Sequence, residues 1–170
     1  MLLISGCGYK TVFDSKYYCK ELQLNCIKRN QKVSFFTSKG NFVVKINADN
    51  HPVTASNFIE NIKKNIYQNK KFYKIINFPQ VKIIHSGIYS ENYYLEENQN
   101  QNIFNLTIPL EIKLRNKVEP KYENPIVDPF EIENIKNFFE KGTIAMVKSG
   151  EKKSSSTEFF FVTNKIPELD

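Results

Sequence analysis

Three cysteines and two histidines carry the most distinctive side-chain chemistry in this 170-residue chain. Cys19 and Cys26 lie in a polar segment that also contains tyrosine and lysine. In an exported chain these thiols would form a disulfide that closes a small loop, whereas in the cytosol they would stay reduced. Neither His51 nor His85 is near them in sequence, which argues against a zinc site. We therefore expect no metal and no cofactor.

The third cysteine, Cys7, ends the segment Ile4-Ser5-Gly6-Cys7, which resembles a bacterial lipobox. In lipoproteins this cysteine is lipidated and becomes the first mature residue. The basic n-region and longer apolar h-region of a signal peptide are missing. Motif and position together still favour a lipobox over a chance match. We expect residues 1–6 to be a signal-peptide remnant and the protein to be exported and membrane-anchored; otherwise it is cytoplasmic.

The basic composition does not indicate nucleic-acid binding. The formal net charge is +6, but only Arg29 and Arg115 of the 24 basic residues are arginine. Arginine is the side chain best suited to bidentate recognition of phosphates and bases. The lysines are scattered along the chain and form no basic stripe interleaved with aromatic residues. We expect a solvated lysine-rich surface and no nucleic-acid partner.

Hydrophobic patterning places one globular domain at residues 32–170, after a tether at 7–31. Val33–Thr37 and Phe42–Ile46 predict a hairpin, with Gly40 in the turn. A helix should follow, capped by Thr54 or Ser56. Its apolar stripe consists of Phe58, Ile59, Ile62 and Ile66.

The second half of the chain predicts another helix and two strands. Asp128, Pro129 and Glu131 have the order of a helix start, and Gly142 would end that helix. Its buried face would consist of Ile132, Ile135, Phe138 and Phe139. The apolar runs Thr143–Val147 and Phe159–Thr163 predict strands. The Lys/Ser/Glu segment between them is expected to be too hydrophilic to bury.

Three motifs in the last 29 residues occur in a specific order: Gly-Thr-Ile-Ala-Met, Ser-Ser-x-x-x-Phe-Phe and Pro-x-Leu-Asp. This order resembles the second half of a cyclophilin-type peptidyl-prolyl isomerase. Earlier in the chain, Phe72-Tyr73-Lys74-Ile75-Ile76 resembles the family's Phe-His-Arg-Val-Ile, and Ile83–Gly87 resembles Met-Ile-Gln-Gly-Gly. The implied fold is mainly β, an antiparallel barrel capped by two helices.

The resemblance also implies a set of site residues. Lys74 stands where the family has its catalytic arginine, and His85 stands at the glutamine position. Glu168 replaces a ring-bearing residue, so one wall of the pocket is altered. The substrate-binding positions implied by the resemblance are Phe72, Ile83, His85, Met146, Val147, Phe160 and Leu169. Plain core packing explains some of the phenylalanines at 159–161.

The implied reaction is cis/trans exchange of X-Pro bonds in peptides and unfolded proteins. Rotation about a peptide bond faces a barrier of about 18–20 kcal/mol because resonance must be broken. An apolar seat for the proline ring and a donor that stabilises the twisted amide suffice to lower it. Three alternatives remain. The first is an isomerase that is exported and assists folding there, the second is a non-catalytic module or chaperone that binds proline-containing segments, and the third is a truncated product without stable function.

The end of the chain carries a further expectation. Cyclophilins continue past the Leu-Asp of Leu169-Asp170 through further strands that close the barrel. We therefore expect the C-terminal strands to be missing from residues 1–170, with open strand edges as a result. The expected state is a monomer.

Overall fold

A computed structural model describes residues 13–88, 107–136 and 139–164. The predictions for Cys7, Phe138, Glu168 and Leu169 fall outside these ranges. The described helices are α1 (Ser15–Glu21), α2 (Pro52–Lys63) and α3 (Pro129–Ile132). The described strands are β1 (Gln31–Thr37), β2 (Gly40–Ile46), β3 (Lys74–Asn77), β4 (Lys82–Ser86), β5 (Thr107–Pro109), β6 (Glu111–Ile112), β7 (Lys121–Tyr122), β8 (Ile144–Lys148) and β9 (Lys153–Val162).

The predicted hairpin is confirmed. β1 and β2 pair antiparallel from Gln31 opposite Ile46 to Thr37 opposite Gly40. Gly40 has a φ of 127°, a conformation that favours glycine because it has no Cβ. Along β2, Val44 and Ile46 are buried whereas Val43 is exposed, so the strand has one buried face. These residues join α2 in the first core cluster.

The longest described strand, β9, organises the largest sheet. It pairs antiparallel with β4, β5 and β8, while β3 pairs with β4. Because side chains alternate across a strand, β9 contributes to two different clusters. Phe159 and Phe161 pack in the first core cluster, whereas Phe160 and Val162 belong to a second. The mainly β class and the antiparallel pairing are confirmed.

The expectation that the polar segment before Phe159 is too hydrophilic to bury was wrong. Residues 154–158 are buried within β9. The Nδ2 atoms of Asn57 and Asn61, both on α2, donate to the Ser156 carbonyl oxygen at 2.6 and 2.7 Å. The Oγ of Ser155 accepts from the backbone N–H of Glu158 at 2.9 Å. Burial is tolerated because these polar groups have partners inside the protein.

The start of α2 also differs from the prediction. The helix begins at Pro52, so Thr54 and Ser56 lie inside it, and Ser56 donates to the Pro52 carbonyl. The free backbone N–H groups of Val53 and Thr54 instead donate to the carboxylate of Glu111, at 3.2 and 2.8 Å. A carboxylate from β6 therefore caps this helix, and the negative charge is favourable at a helix N-terminus.

The helix predicted to begin near Asp128 is much shorter than expected. Asp128 does cap it, since its carboxylate accepts from Phe130 N–H at 2.9 Å. The helix ends at Ile132, and none of its residues is buried. Ile135 instead forms an isolated β-bridge with Leu114. Of the apolar residues that suggested a longer helix, Ile132 is 39% exposed and Ile135 pairs with Leu114 outside the helix.

The described part of the predicted tether contains structure that packs on the domain. Cys19 and Cys26 form a disulfide with a Cα–Cα distance of 5.6 Å. Tyr18 and Cys19 of α1 form a buried cluster with Val53 of α2. Among the described residues, no helix has the length and apolarity needed to cross a membrane.

His51, which precedes α2, should make stability depend on pH. Burial lowers the pKa of His51 from 6.5 to about 4. Between these pH values His51 is protonated in the unfolded chain but neutral in the folded protein. The free energy of unfolding therefore falls as pH drops from about 6.5 to 4. The loss is up to about 3 kcal/mol, since one pKa unit corresponds to about 1.4 kcal/mol.

Urea unfolding of wild type and His51→Gln at several pH values measures this contribution. The wild type should lose more stability than the variant between pH 7 and pH 4, because the variant lacks the titrating ring. Parallel pH profiles for the two proteins would contradict the assignment.

Candidate functional site

Cross-strand register brings the separated motifs together on one face of the large sheet. Lys74 on β3 lies opposite His85 on β4, and His85 lies opposite Phe160 on β9. Phe160 in turn lies opposite Ala145 on β8. Directly opposed residues in antiparallel strands project their side chains to the same face. We call this face, defined by Lys74, His85, Phe160 and Ala145, the site face.

The apolar part of the site face is the second core cluster. Ile83, Phe160 and Val162 are its buried members, and Val147 packs against them. Three of the predicted substrate-binding residues, Ile83, Val147 and Phe160, therefore lie together. Phe139 covers part of this surface: its ring stacks on Phe160 with centroids 5.7 Å apart and planes 24° apart. Phe160 is only 7% exposed as a result of this packing.

The polar part of the site face centres on a buried carboxylate. Glu158 Oε1 lies 3.3 Å from His85 Nδ1, and the Tyr73 hydroxyl donates to the same oxygen. The side chains of His85 and Glu158 are 10% and 7% exposed. The imidazole ring also stacks on Phe160 at 5.7 Å. The cluster therefore joins Tyr73 and His85, which come from two predicted motifs, to Glu158, which the sequence analysis did not single out.

Gly87 lets the end of β4 approach β9 beside this cluster. Its φ is 95°, and a Cβ at this position would collide with the carbonyl oxygen of Thr157. Thr157 also donates through Oγ1 to the Ile88 carbonyl at 3.2 Å. The glycine of the Ile83–Gly87 motif is therefore required by the close contact that sets Glu158 next to His85.

Lys74 is the exposed cation of this surface. Its ammonium is a donor with a positive charge, and Lys74 lies in one cross-strand row with His85 and Phe160. Such a donor can stabilise negative charge or a lone pair that develops on a bound amide. The described residues contain no group of three His, Cys, Asp or Glu side chains placed to hold a metal ion.

Two predicted site residues do not join the site face. Met146 packs in the first core cluster, because its side chain alternates with those of Ala145 and Val147. Phe72 is 39% exposed, and its ring centroid lies 6.1 Å from that of Phe161. Phe161 also packs in the first core cluster. Neither residue is therefore placed beside His85 and Phe160.

A large groove meets the site face at Ala145. Its volume is about 850 Å³, and its lining comes from β2, α2, β8 and neighbouring residues, including Val44, Phe58 and Met146. The strands β2 and β8 flank it without pairing to each other. Ala145 also lines the groove, but Lys74, His85 and Phe160 are absent from its described lining, so its size alone does not make it the candidate site.

Comparison with known families identifies the family of the chain. A family model described as cyclophilin type peptidyl-prolyl cis-trans isomerase/CLD matches residues 32–170. The chain belongs to this cyclophilin family. Its family activity is peptidyl-prolyl cis-trans isomerisation, and proline-containing peptides are its substrates. No match was found among curated proteins.

Sequence reasoning on this cyclophilin missed Glu158 and Phe139 as neighbours of the site. One signal for Glu158 was available: Tyr73 and His85 both depart from the family pattern, and both contact the same carboxylate oxygen. Phe139 was assigned to the buried face of a helix, whereas its ring stacks on Phe160.

Proposed function

We propose that this cyclophilin is a peptidyl-prolyl cis-trans isomerase in which Lys74 replaces the arginine usual for the family. The observation that carries the proposal is the register of β3, β4 and β9, which puts Lys74, His85 and Phe160 side by side. This arrangement offers a cation next to an aromatic and aliphatic surface. Proline-containing segments of peptides and unfolded proteins are the substrates.

The proposed mechanism uses binding and electrostatics without a covalent step. The apolar floor of Ile83, Val147 and Phe160 holds the proline ring, while the Lys74 ammonium donates toward the amide as it twists. Twisting removes resonance and leaves a lone pair on the proline nitrogen, so a nearby donor stabilises the transition state more than the planar ground state. Leu169 is proposed to extend the binding surface by family resemblance.

A second function is favoured by the packing of Phe139. Because Phe139 stacks on Phe160, and Phe160 is 7% exposed, a proline ring has little access to that face of Phe160 in this conformation. A non-catalytic module or chaperone that binds proline-containing segments at the rim of the site would be compatible with this geometry. It would also be compatible with a lysine that lacks the planar donor fork of arginine.

Exchange spectroscopy on a short X-Pro peptide distinguishes the two functions. The isomerase is expected to accelerate cis/trans exchange well above the uncatalysed rate, which corresponds to tens of seconds or more. A binding module would shift peptide resonances without changing the exchange rate. Exchange at the uncatalysed rate, under conditions in which the peptide is bound, would overturn the enzymatic proposal.

We further propose that the protein is exported and held at a membrane surface through a lipid on Cys7. The Cys19–Cys26 disulfide supports this proposal, because structural disulfides persist mainly in oxidising compartments. Lipid chains contribute about 0.8 kcal/mol per buried CH₂, so more than one chain anchors stably. In this location the enzyme would assist the folding of exported proteins.

Detergent-phase partitioning of the protein produced in its natural full-length form tests the anchor. The wild type should enter the detergent phase, whereas Cys7→Ser should stay in the aqueous phase because it has no thiol to lipidate. Equal aqueous recovery of both proteins would remove the proposed anchor.

A further inference from the structure

The cluster of His85, Glu158 and Tyr73 contains one buried polar atom without a hydrogen-bond partner in the described part of the chain. His85 Nε2 is buried and has no hydrogen-bond partner among the described residues. Leaving a buried polar atom unpaired costs free energy, because the atom loses its hydrogen bonds to water. The other ring nitrogen, Nδ1, lies 3.3 Å from Glu158 Oε1. The imidazole is therefore held through Nδ1, whereas Nε2 lacks a hydrogen-bond partner among the described residues.

The partners of Glu158 determine which nitrogen bears the proton. An ionised carboxylate only accepts hydrogen bonds, and its Oε1 receives the Tyr73 hydroxyl as well as His85 Nδ1. A proton must therefore be on Nδ1 for the second contact to be a hydrogen bond. In the neutral ring this leaves a lone pair on Nε2. A doubly protonated ring would instead leave a buried N–H at Nε2 without an acceptor among the described residues.

Lys74 lies on the strand next to this lone pair, although its ammonium makes no hydrogen bond to Nε2 in this conformation. Lys74 is the direct cross-strand partner of His85, and such partners have Cβ atoms about 4.5–5.5 Å apart. A lysine side chain is long and flexible enough to bring its ammonium over the neighbouring ring. One of its three N–H donors can then bind Nε2 while the others remain available.

We propose that Glu158 and Tyr73 are positioning residues that hold His85 with its proton on Nδ1, so that Nε2 accepts a hydrogen bond from the Lys74 ammonium. This inference rests on the proposed function of Lys74 as the donor to the twisted amide. It explains how a flexible lysine serves where the family uses arginine, whose planar fork is pre-organised. The three-residue cluster supplies the orientation that the lysine side chain lacks.

The first test reads the imidazole directly and does not depend on activity. Long-range ¹⁵N–¹H correlation spectra of the wild type should show His85 protonated on Nδ1 and bare on Nε2, with His51→Gln used to assign the two histidines. Lys74→Met should shift the Nε2 resonance, because the bound ammonium is lost, whereas Lys32→Met on β1 should leave it unchanged. A proton on Nε2, or a resonance indifferent to Lys74→Met, would overturn the proposal.

The second test reads the kinetics. Glu158→Gln and Tyr73→Phe should each lower kcat with little change in KM, because they misplace a donor without removing the proline seat. The expected loss for Glu158→Gln is about 10-fold, as for other coupled members of one hydrogen-bond network. Tyr73→Phe removes a single hydroxyl from a side chain that is 41% exposed, so it serves as the variant least harmful to folding.

A double-mutant cycle establishes that Glu158 acts through His85. Combined with His85→Gln, Glu158→Gln should cost far less than it does alone, since the ring that it orients is gone. Fully multiplicative losses would overturn the positioning role. If the wild type accelerates no X-Pro exchange, the proposed function fails by itself, while the Nε2 resonance still decides whether His85 binds Lys74.

Discussion

Lys74→Ala is expected to lower kcat/KM for X-Pro exchange by about 100-fold. Removing one donor that stabilises a transition state commonly costs about 10²–10³ in rate. Lys74 is the proposed donor, and it lies in one cross-strand row with His85 and Phe160. The substitution leaves the apolar floor intact, so peptide binding should change much less than kcat. The loss should therefore resemble removal of an interaction made only in the transition state.

A series at this position separates charge from geometry. Lys74→Arg should exceed the wild type, because the guanidinium restores a planar fork with several fixed donors. Lys32→Ala is the matched control, since Lys32 is also an exposed strand lysine but lies on β1. Each variant is compared in a protease-coupled proline-peptide assay. If wild type and Lys74→Ala both match the uncatalysed reaction, the binding-module function is correct.

Phe159→Ala is expected to destabilise the fold by about 3–5 kcal/mol, the usual cost of removing a large buried aromatic side chain. Phe159 is 1% exposed and lies at the centre of the first core cluster. Its ring makes edge contacts with Phe58 at 5.4 Å and with Tyr67 at 5.2 Å, both perpendicular to it within 8°. The substitution would therefore leave a cavity and remove contacts with both α2 and the loop after it.

Such a loss is a large fraction of the 5–15 kcal/mol that stabilises a typical domain. Urea unfolding should show a much lower midpoint for Phe159→Ala. Phe36→Ala is the control, because Phe36 is 79% exposed on β1 and should change stability by no more than about 0.5 kcal/mol. Equal midpoints for the two variants would show that Phe159 does not support the core.

Local sequence patterns were sufficient to predict the elements that depend only on residues near one another in the chain. The β1–β2 hairpin follows from two alternating runs and a glycine that accepts a φ of 127°. The cap at Asp128 follows from an aspartate before a proline, because a carboxylate can reach the second N–H of the helix locally. The family and the mainly β class also follow from ordered motifs, which are properties of the linear chain.

Tertiary contacts decided what those patterns left open. Residues 154–158 look too polar to bury, but amide groups on α2 satisfy the Ser156 carbonyl from about a hundred positions away in sequence. Likewise, Glu111 caps α2 from β6, which local cap rules cannot foresee. Hydrogen-bond partners distant in the chain therefore reversed predictions that were based on hydrophilicity and local capping.

The candidate site shows the same division. Its motif positions Lys74 and His85 were predictable from the sequence, because each lies within a recognisable short stretch. Which phenylalanine faces the site was not predictable, since Phe159, Phe160 and Phe161 are chemically identical and only strand alternation against β4 and β8 assigns Phe160 to it. The Glu158 contact and the covering ring of Phe139 likewise required three-dimensional packing, because both join residues that no local pattern connects.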